Sequence, residues 1–190
     1  MMRYKSQFQA VLWRAAIISL ICLATFQGLY ALLGLEFLSS LRTTALTAFY
    51  HFAVRLLLGE WLLPKLWARG IDTSRAWFQA RPWEARLYRR LGVHRWKRGM
   101  PTYSPDEFSM ADRNLEEIVQ ATCRAELVHE LNAAASFVPL LFSLWFGALA
   151  VFVITSVAAA AFDLVFVMIQ RYNRPRLRRL MEMRKERRDV

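Results

Sequence analysis

The chain has few cysteines, few acids and none of the common catalytic signatures. Only two of its 190 residues are cysteine. Cys22 sits in a long apolar run and Cys123 in a separate segment, which argues against a structural disulfide, and no C-x-x-C spacing points to a zinc or redox centre. There is no G-x-S-x-G elbow, no H-x-x-x-x-D box, no glycine-rich phosphate loop and no internal repeat. Fifteen Asp and Glu face 26 Lys and Arg. So strong a basic excess would also suit a nucleic-acid binder, but such a protein has no need of uninterrupted apolar runs, and nucleic acid is excluded as a partner on that ground. The stretch Leu131–Gln170 is almost free of charge, with Asp163 as the sole exception.

What is present is apolar surface with basic flanks. Apolar residues make up 56% of the chain, a combination that lipid tails and anionic headgroups together select. Ala15–Leu35 carries no charge and would span ~30 Å as a helix. Arg3, Lys5 and Arg14 precede it as in a signal peptide, but the run is long for that role and no A-x-A site follows, so it reads as an uncleaved span. Glu36–Thr44 is a neutral connection. A second run, 45–63, carries His51, Arg55 and Glu60; charges within a span face protein or water rather than lipid. Leu131–Gln170 would measure ~60 Å as one helix, twice the hydrocarbon thickness, so two crossings over 133–147 and 149–169 with a turn near Gly147 fit better. The expected fold is therefore all-α: a single domain over 1–190, a polytopic membrane bundle of about four transmembrane helices with amphipathic interfacial helices.

The middle segment, 64–130, has 12 basic and 9 acidic residues, with tryptophans suited to the headgroup level. Within it, 82–101 reads as a short amphipathic helix, a turn at Gly92 and a basic loop. Ser104-Pro105-Asp106-Glu107 carries a capping serine, a first-turn proline and a capping-box glutamate, which predicts a helix from there to about Asn132. The tail, 171–190, has nine basic and three acidic residues. With four spans, all basic segments fall on the cytoplasmic side, both termini included.

Two stretches carry candidate chemistry. In Ala121–Glu130, ATCRAELVHE, helical phasing puts Leu115, Ile118, Val119, Thr122, Glu126 and His129 within ~60° of one line, so Glu126 and His129 continue an apolar stripe. Glu126 would hold one imidazole nitrogen of His129, leaving the other to accept a proton from a hydroxyl nucleophile. The bland alternative is a Glu–His pair that only joins helices. A di-iron site would need a second E-x-x-H and further glutamates, which are missing, so no metal is expected. In Gln170–Arg176, QRYNRPR, Pro175 predicts a helix break that would present Arg171, Arg174 and Arg176 to an anion. The alternative there is an ordinary stop-transfer arginine cluster. Lys97 is a further anion candidate.

The segments RWKRGMP, ATCRAELVHE and MIQRYNRPRLRRL resemble the glycosyl-4,4′-diaponeurosporenoate acyltransferases, small multi-pass bacterial enzymes of carotenoid (staphyloxanthin) biosynthesis. The resemblance covers most of Leu91–Asp189. The pattern T-x-R-A-E-[LI]-x-H falls on Thr122, Arg124, Ala125, Glu126, Leu127 and His129; QRYNRPRL is intact as Gln170–Leu177, and Trp96-Lys97 matches a W-K pair. Two positions depart: Ala121 replaces a family Glu, and Asp163 stands where an Asn-x-Pro kink is expected. The resemblance implies transfer of a fatty acyl group to a sugar hydroxyl of a glycolipid acceptor in the bacterial inner (cytoplasmic) membrane. On this reading no cofactor is bound. Acyl-CoA or acyl carrier protein donates the acyl group, docking on Arg171, Arg174, Arg176, Lys97 or Arg124, with Thr122, Gln170 and Asn173 in the same site. Arg124 lies about 180° from the Glu126 face on an ideal helix, which suits a structural role as well. His129 acts as base and Glu126 orients it. The rival expectation is a non-catalytic membrane protein that binds lipid or scaffolds a partner. Oligomers or a partner subunit stay open on either reading.

Overall fold

The computed structural model describes residues 7–68, 70–102, 104–147 and 149–187. Arg3, Lys5 and residues 188–190 of the basic tail lie outside them. Of the described residues 83% are helical and none is in a strand, and four helical segments are long and apolar enough to cross a membrane.

Helix α1 (Gln7–Leu33) stops at Gly34, whose φ of 63° is the left-handed conformation that ends helices at glycine. Helix α2 (Glu36–Leu56) starts two residues later. The nine-residue connection expected over 36–44 is therefore absent; those residues form the first turns of α2, with Glu36 at its positive N-terminal end. A π-helical turn, Leu57–Leu62, and the short α3 (Leu63–Leu66) prolong α2. This turn rephases the helix so that Glu60 accepts hydrogen bonds from Gln9 Nε2 (2.5 Å) and Trp13 Nε1 (2.9 Å) of α1.

The middle segment follows the expected sequence of helix, glycine turn and basic loop. Helix α4 (Pro82–Arg90), Gly92 at φ 63°, α5 (Val93–Trp96) and a 3₁₀ turn at Lys97–Gly99 appear in that order. The helix start expected at Ser104 does not form. Pro105–Phe108 makes one 3₁₀ turn and Ser104 caps nothing with its side chain. Helix α6 (Leu115–Ala135) begins at Asn114 instead, with a full capping box: Asn114 Oδ1 accepts from Glu117 N (2.8 Å) and Glu117 Oε2 from Asn114 N (3.1 Å). Asn114 is the cap adjoining the apolar stripe, and burial of that stripe decides where the helix starts.

Helix α6 runs on through a bend at Ser136–Val138 into α7 (Pro139–Phe146), so the third candidate span is 115–146 rather than 133–147. After Gly147 at φ 63° the chain reverses into α8 (Leu149–Glu186), a single helix 38 residues long. The break expected at Pro175 is absent. Proline removes one backbone bond and crowds the preceding turn, but side chains on both flanks fix α8 to other elements. Arg171, one turn before the proline, and Arg174, immediately before it, are tied down, and Arg178 donates to Thr73 O (2.6 Å) and Gln79 Oε1 one turn after.

The bundle is two antiparallel hairpins, α1 against α2 and α6 against α8, with α2 also touching α6, α7 and α8. Ala121, Ala133, Ser156 and Ala160 are buried and let α6 and α8 approach closely. Ile18, Ile21, Leu32, Leu144, Trp145 and Ile154 face outward, as lipid contact requires.

Candidate active site

The buried stripe of α6 is the one its phasing implies: Leu115, Ile118, Val119, Thr122 and Glu126 are all inside, and His129 is half-buried at its end. Glu126, with no solvent exposure, does not orient His129. Its two oxygens bind two arginines of α8, Oε1 accepting from Arg171 Nη1 (2.5 Å) and Oε2 from Arg174 Nη2. A guanidinium offers two parallel donors and a full charge to a carboxylate, so in a dry interior it outcompetes a neighbouring imidazole.

The same bonds remove Arg171 and Arg174 from the expected anion site. Arg171 has five N–H donors and makes five hydrogen bonds, to Glu84 through Nε and Nη2, to Glu126, and to the carbonyls of Trp77 and Gln79. Arg174 is 2% exposed; it also donates to Thr122 Oγ1 (3.1 Å), Thr122 O (3.2 Å) and Phe78 O (3.2 Å) and lies over the Phe78 ring. Glu84, Glu126, Arg171 and Arg174 thus form a neutral knot that joins α4, α6 and α8. A cleft of about 290 Å³ opens beside the knot, bounded by Gln79, Ala80, Pro175, Arg178, Arg179 and Glu182. Gln170 is buried on the same α8 stripe.

His129 has another carboxylate. Its Nδ1 lies 2.9 Å from Asp163 Oδ1, and Asp163, 1% exposed, forms a salt bridge through Oδ2 with Arg55 of α2. A carboxylate can only accept, so Nδ1 carries a proton, and in the neutral imidazole the lone pair lies on Nε2. Among the described residues the ring makes no hydrogen bond through Nε2. The imidazole stacks on Phe166 (4.7 Å between centroids, 12° between planes), which fixes its plane. Arg55 is held in turn by His51 O (2.7 Å), Ala159 O (3.0 Å) and Ser136 Oγ (3.3 Å). Three helices thus build a buried Arg55–Asp163–His129 chain, ~12 Å along α8 from the level of Arg171. The arrangement expected of Glu126, a carboxylate on one imidazole nitrogen with the other free, is present with Asp163 in its place.

Sequence reasoning missed Asp163 as a functional residue and left Arg55 either to line a cavity with His51 or to pair with Glu60 or a headgroup, whereas Arg55 pairs with Asp163 and Glu60 accepts from Gln9 and Trp13. The signal was available: both are charges inside apolar spans, Asp163 the sole one of its run, and such charges pair across helices. Of the other expected site residues, Thr122 is a ligand of Arg174, and Arg124 turns away to Glu107 (3.6 Å), as its phase implies. Lys97, Asn173 and Arg176 do come together. Lys97 Nζ donates to Asn173 Oδ1 (2.5 Å) and lies 4.7 Å over the Tyr172 ring, with the Arg176 guanidinium 4.0 Å over the same ring.

No curated protein and no solved structure matches the chain. The profile of the glycosyl-4,4′-diaponeurosporenoate acyltransferase family matches residues 74–183, more than half of the chain. That stretch contains α4 to α7 and all but the last three residues of α8, hence the whole Glu84–Glu126–Arg171–Arg174 knot, His129, Asp163, and the Lys97–Tyr172–Arg176 group. The protein is a membrane protein, and it belongs to the glycosyl-4,4′-diaponeurosporenoate acyltransferase family, a family of enzymes.

Proposed function

We propose that the protein is an O-acyltransferase acting at the cytoplasmic face of a bacterial inner membrane, with both termini on that side. It moves a fatty acyl group from a thioester donor, acyl-CoA or acyl carrier protein, to a sugar hydroxyl of a glycolipid. The single observation that carries this reading is the buried Arg55–Asp163–His129 chain, which leaves imidazole Nε2 unpartnered. In the step, Nε2 takes the acceptor hydroxyl proton as the oxygen attacks the thioester carbonyl carbon. The carbon–sulfur bond then breaks, and the leaving thiolate takes that proton back from Nε2, giving ester and thiol. Asp163 keeps the imidazole in the required tautomer and stabilises its transient charge, the role a carboxylate plays behind any general-base histidine. The step as written needs no metal and no prosthetic group.

The test compares His129→Gln and Asp163→Asn in purified protein supplied with labelled acyl-CoA and a glycolipid. Loss of a positioned general base costs roughly 10²–10⁴-fold in rate. His129→Gln is expected to lose that much while its unfolding midpoint holds, and Asp163→Asn to lose activity and stability together, because it leaves Arg55 without a counter-charge. Transfer by His129→Gln within threefold of wild type would sink the mechanism.

A further inference from the structure

At the polar end of α8, Arg178 donates to Thr73 O and Gln79 Oε1, and Arg179 lines the cleft. Two other sets of positive charge there contrast with each other. Arg171 and Arg174 are balanced by Glu84 and Glu126, and the donors of Arg171 are fully used. Lys97, Arg98 and Arg176 have no carboxylate partner among the described residues. Two of these unbalanced cations nonetheless gather on one aromatic ring, Lys97 at 4.7 Å and Arg176 at 4.0 Å from the Tyr172 centroid. Tyr172 is itself braced edge-on by Tyr88 (6.3 Å). Asn173 Oδ1 fixes the Lys97 ammonium (2.5 Å), while the Arg176 guanidinium makes no hydrogen bond among the described residues. Burial, then Arg176 and Arg98, push the Lys97 pKa down, which means the ammonium is held where its charge is disfavoured.

Like charges brought together without a counter-ion are the arrangement that binding of an anion relieves. The free donors are an ammonium and a planar guanidinium fork, which suit the oxygens of a phosphate. The nearby cleft is a poorer candidate, since Glu84 and Glu182 line it alongside its arginines. We propose that Lys97 and Arg176, set on Tyr172, form a phosphate-binding site at the polar end of α8. It sits ~9 Å along α8 from Phe166, the ring against which His129 stacks. Resting on the acyl-transfer reading above, the phosphate belongs to the acyl donor, whose extended arm carries the thioester from there toward His129. A lipid headgroup phosphate would meet the same chemistry.

The experiment measures binding rather than turnover, so it stands or falls apart from the catalytic reading. Full-length protein in nanodiscs of uncharged lipid is titrated with free CoA, with pyrophosphate as competitor. Lys97→Gln and Arg176→Gln are each expected to weaken CoA binding at least roughly tenfold, the loss of one charge-assisted hydrogen bond, and Lys97→Arg and Arg176→Lys to stay within about threefold of wild type. His129→Gln is expected to bind CoA as wild type does, so a failure of catalysis leaves this result intact. A second arm replaces uncharged lipid with phosphatidic acid. If only that arm shifts the unfolding midpoint, and only when Lys97 and Arg176 are present, the phosphate site stands and its ligand is a headgroup. Equal CoA affinity in wild type and the Lys97→Gln/Arg176→Gln double variant, with no phosphatidic acid effect, would overturn the proposal.

Discussion

Replacing Glu126 with glutamine separates the two jobs that this carboxylate was open to. Glu126 is wholly buried and binds one arginine with each oxygen. Glutamine keeps the shape and one acceptor but removes the charge, leaving Arg174, 2% exposed, without an anion. Breaking a buried pair on one side costs about 3–5 kcal/mol, because the surviving charge remains buried. The low end applies, since Arg171 retains Glu84 (2.6 Å) and Arg174 retains three neutral acceptors. At about 2–4 °C per kcal/mol for a chain of this size, the unfolding midpoint should fall by about 6–12 °C. Thermal unfolding in detergent, followed by tryptophan fluorescence, reads this directly. The double variant Glu126→Leu/Arg174→Leu removes the orphaned charge and leaves Arg171 on Glu84, so at least half of the lost midpoint should return. Acyl transfer below the new midpoint should stay within about tenfold of wild type. If Glu126→Gln keeps its midpoint within about 2 °C while transfer collapses, Glu126 acts on His129 after all and the knot is not structural.

Two further substitutions probe how the elements are set. Asn114→Ala should cost about 1 kcal/mol, the usual worth of a helix N-cap, whereas Ser104→Ala should change stability by less than about 0.5 kcal/mol; equal losses in chemical denaturation would restore a helix start at Ser104. Gly92→Ala should cost about 1–2 kcal/mol from its positive φ alone, since an added Cβ there meets nothing within 4 Å. A neutral midpoint would show that the turn between α4 and α5 tolerates a different backbone.

The sequence made the inner face of α6 legible because one helix carries its own phase. Leu115, Ile118, Val119, Thr122 and Glu126 are inside as 100° per residue requires. What spacing within one helix cannot supply is the identity of the facing helix. Glu126 and His129 are neighbours on α6, yet each takes its partner from α8: the arginines at 171 and 174 for one, Asp163 for the other. The Pro175 break failed for a related reason. Backbone preference at the proline was correctly read, but cross-helix bonds from Arg171, Arg174 and Arg178 outweigh it. Ser104 and Asn114 both carry a capping signature, and only burial of the following stripe distinguishes them.

Charge balance then separates scaffold from site. In a low-dielectric bundle a lone charge is expensive, so a network that is neutral on its own accounts for itself. Glu84, Glu126, Arg171 and Arg174 are two anions and two cations, and nothing about them requires a substrate. Asp163 and Arg55 are likewise matched. Asp163 therefore has no electrostatic need of His129, and the imidazole it also holds is positioned rather than recruited as a counter-ion. Two features stand outside that balance: an imidazole of α6 with an open nitrogen, and a pair of cations, Arg176 of α8 and Lys97 of the turn after α5, on Tyr172 with no anion. The proposed transfer, from a phosphate-bearing thioester donor to a hydroxyl acceptor, rests on these two features together: a base without a proton donor and a cation pair without an anion.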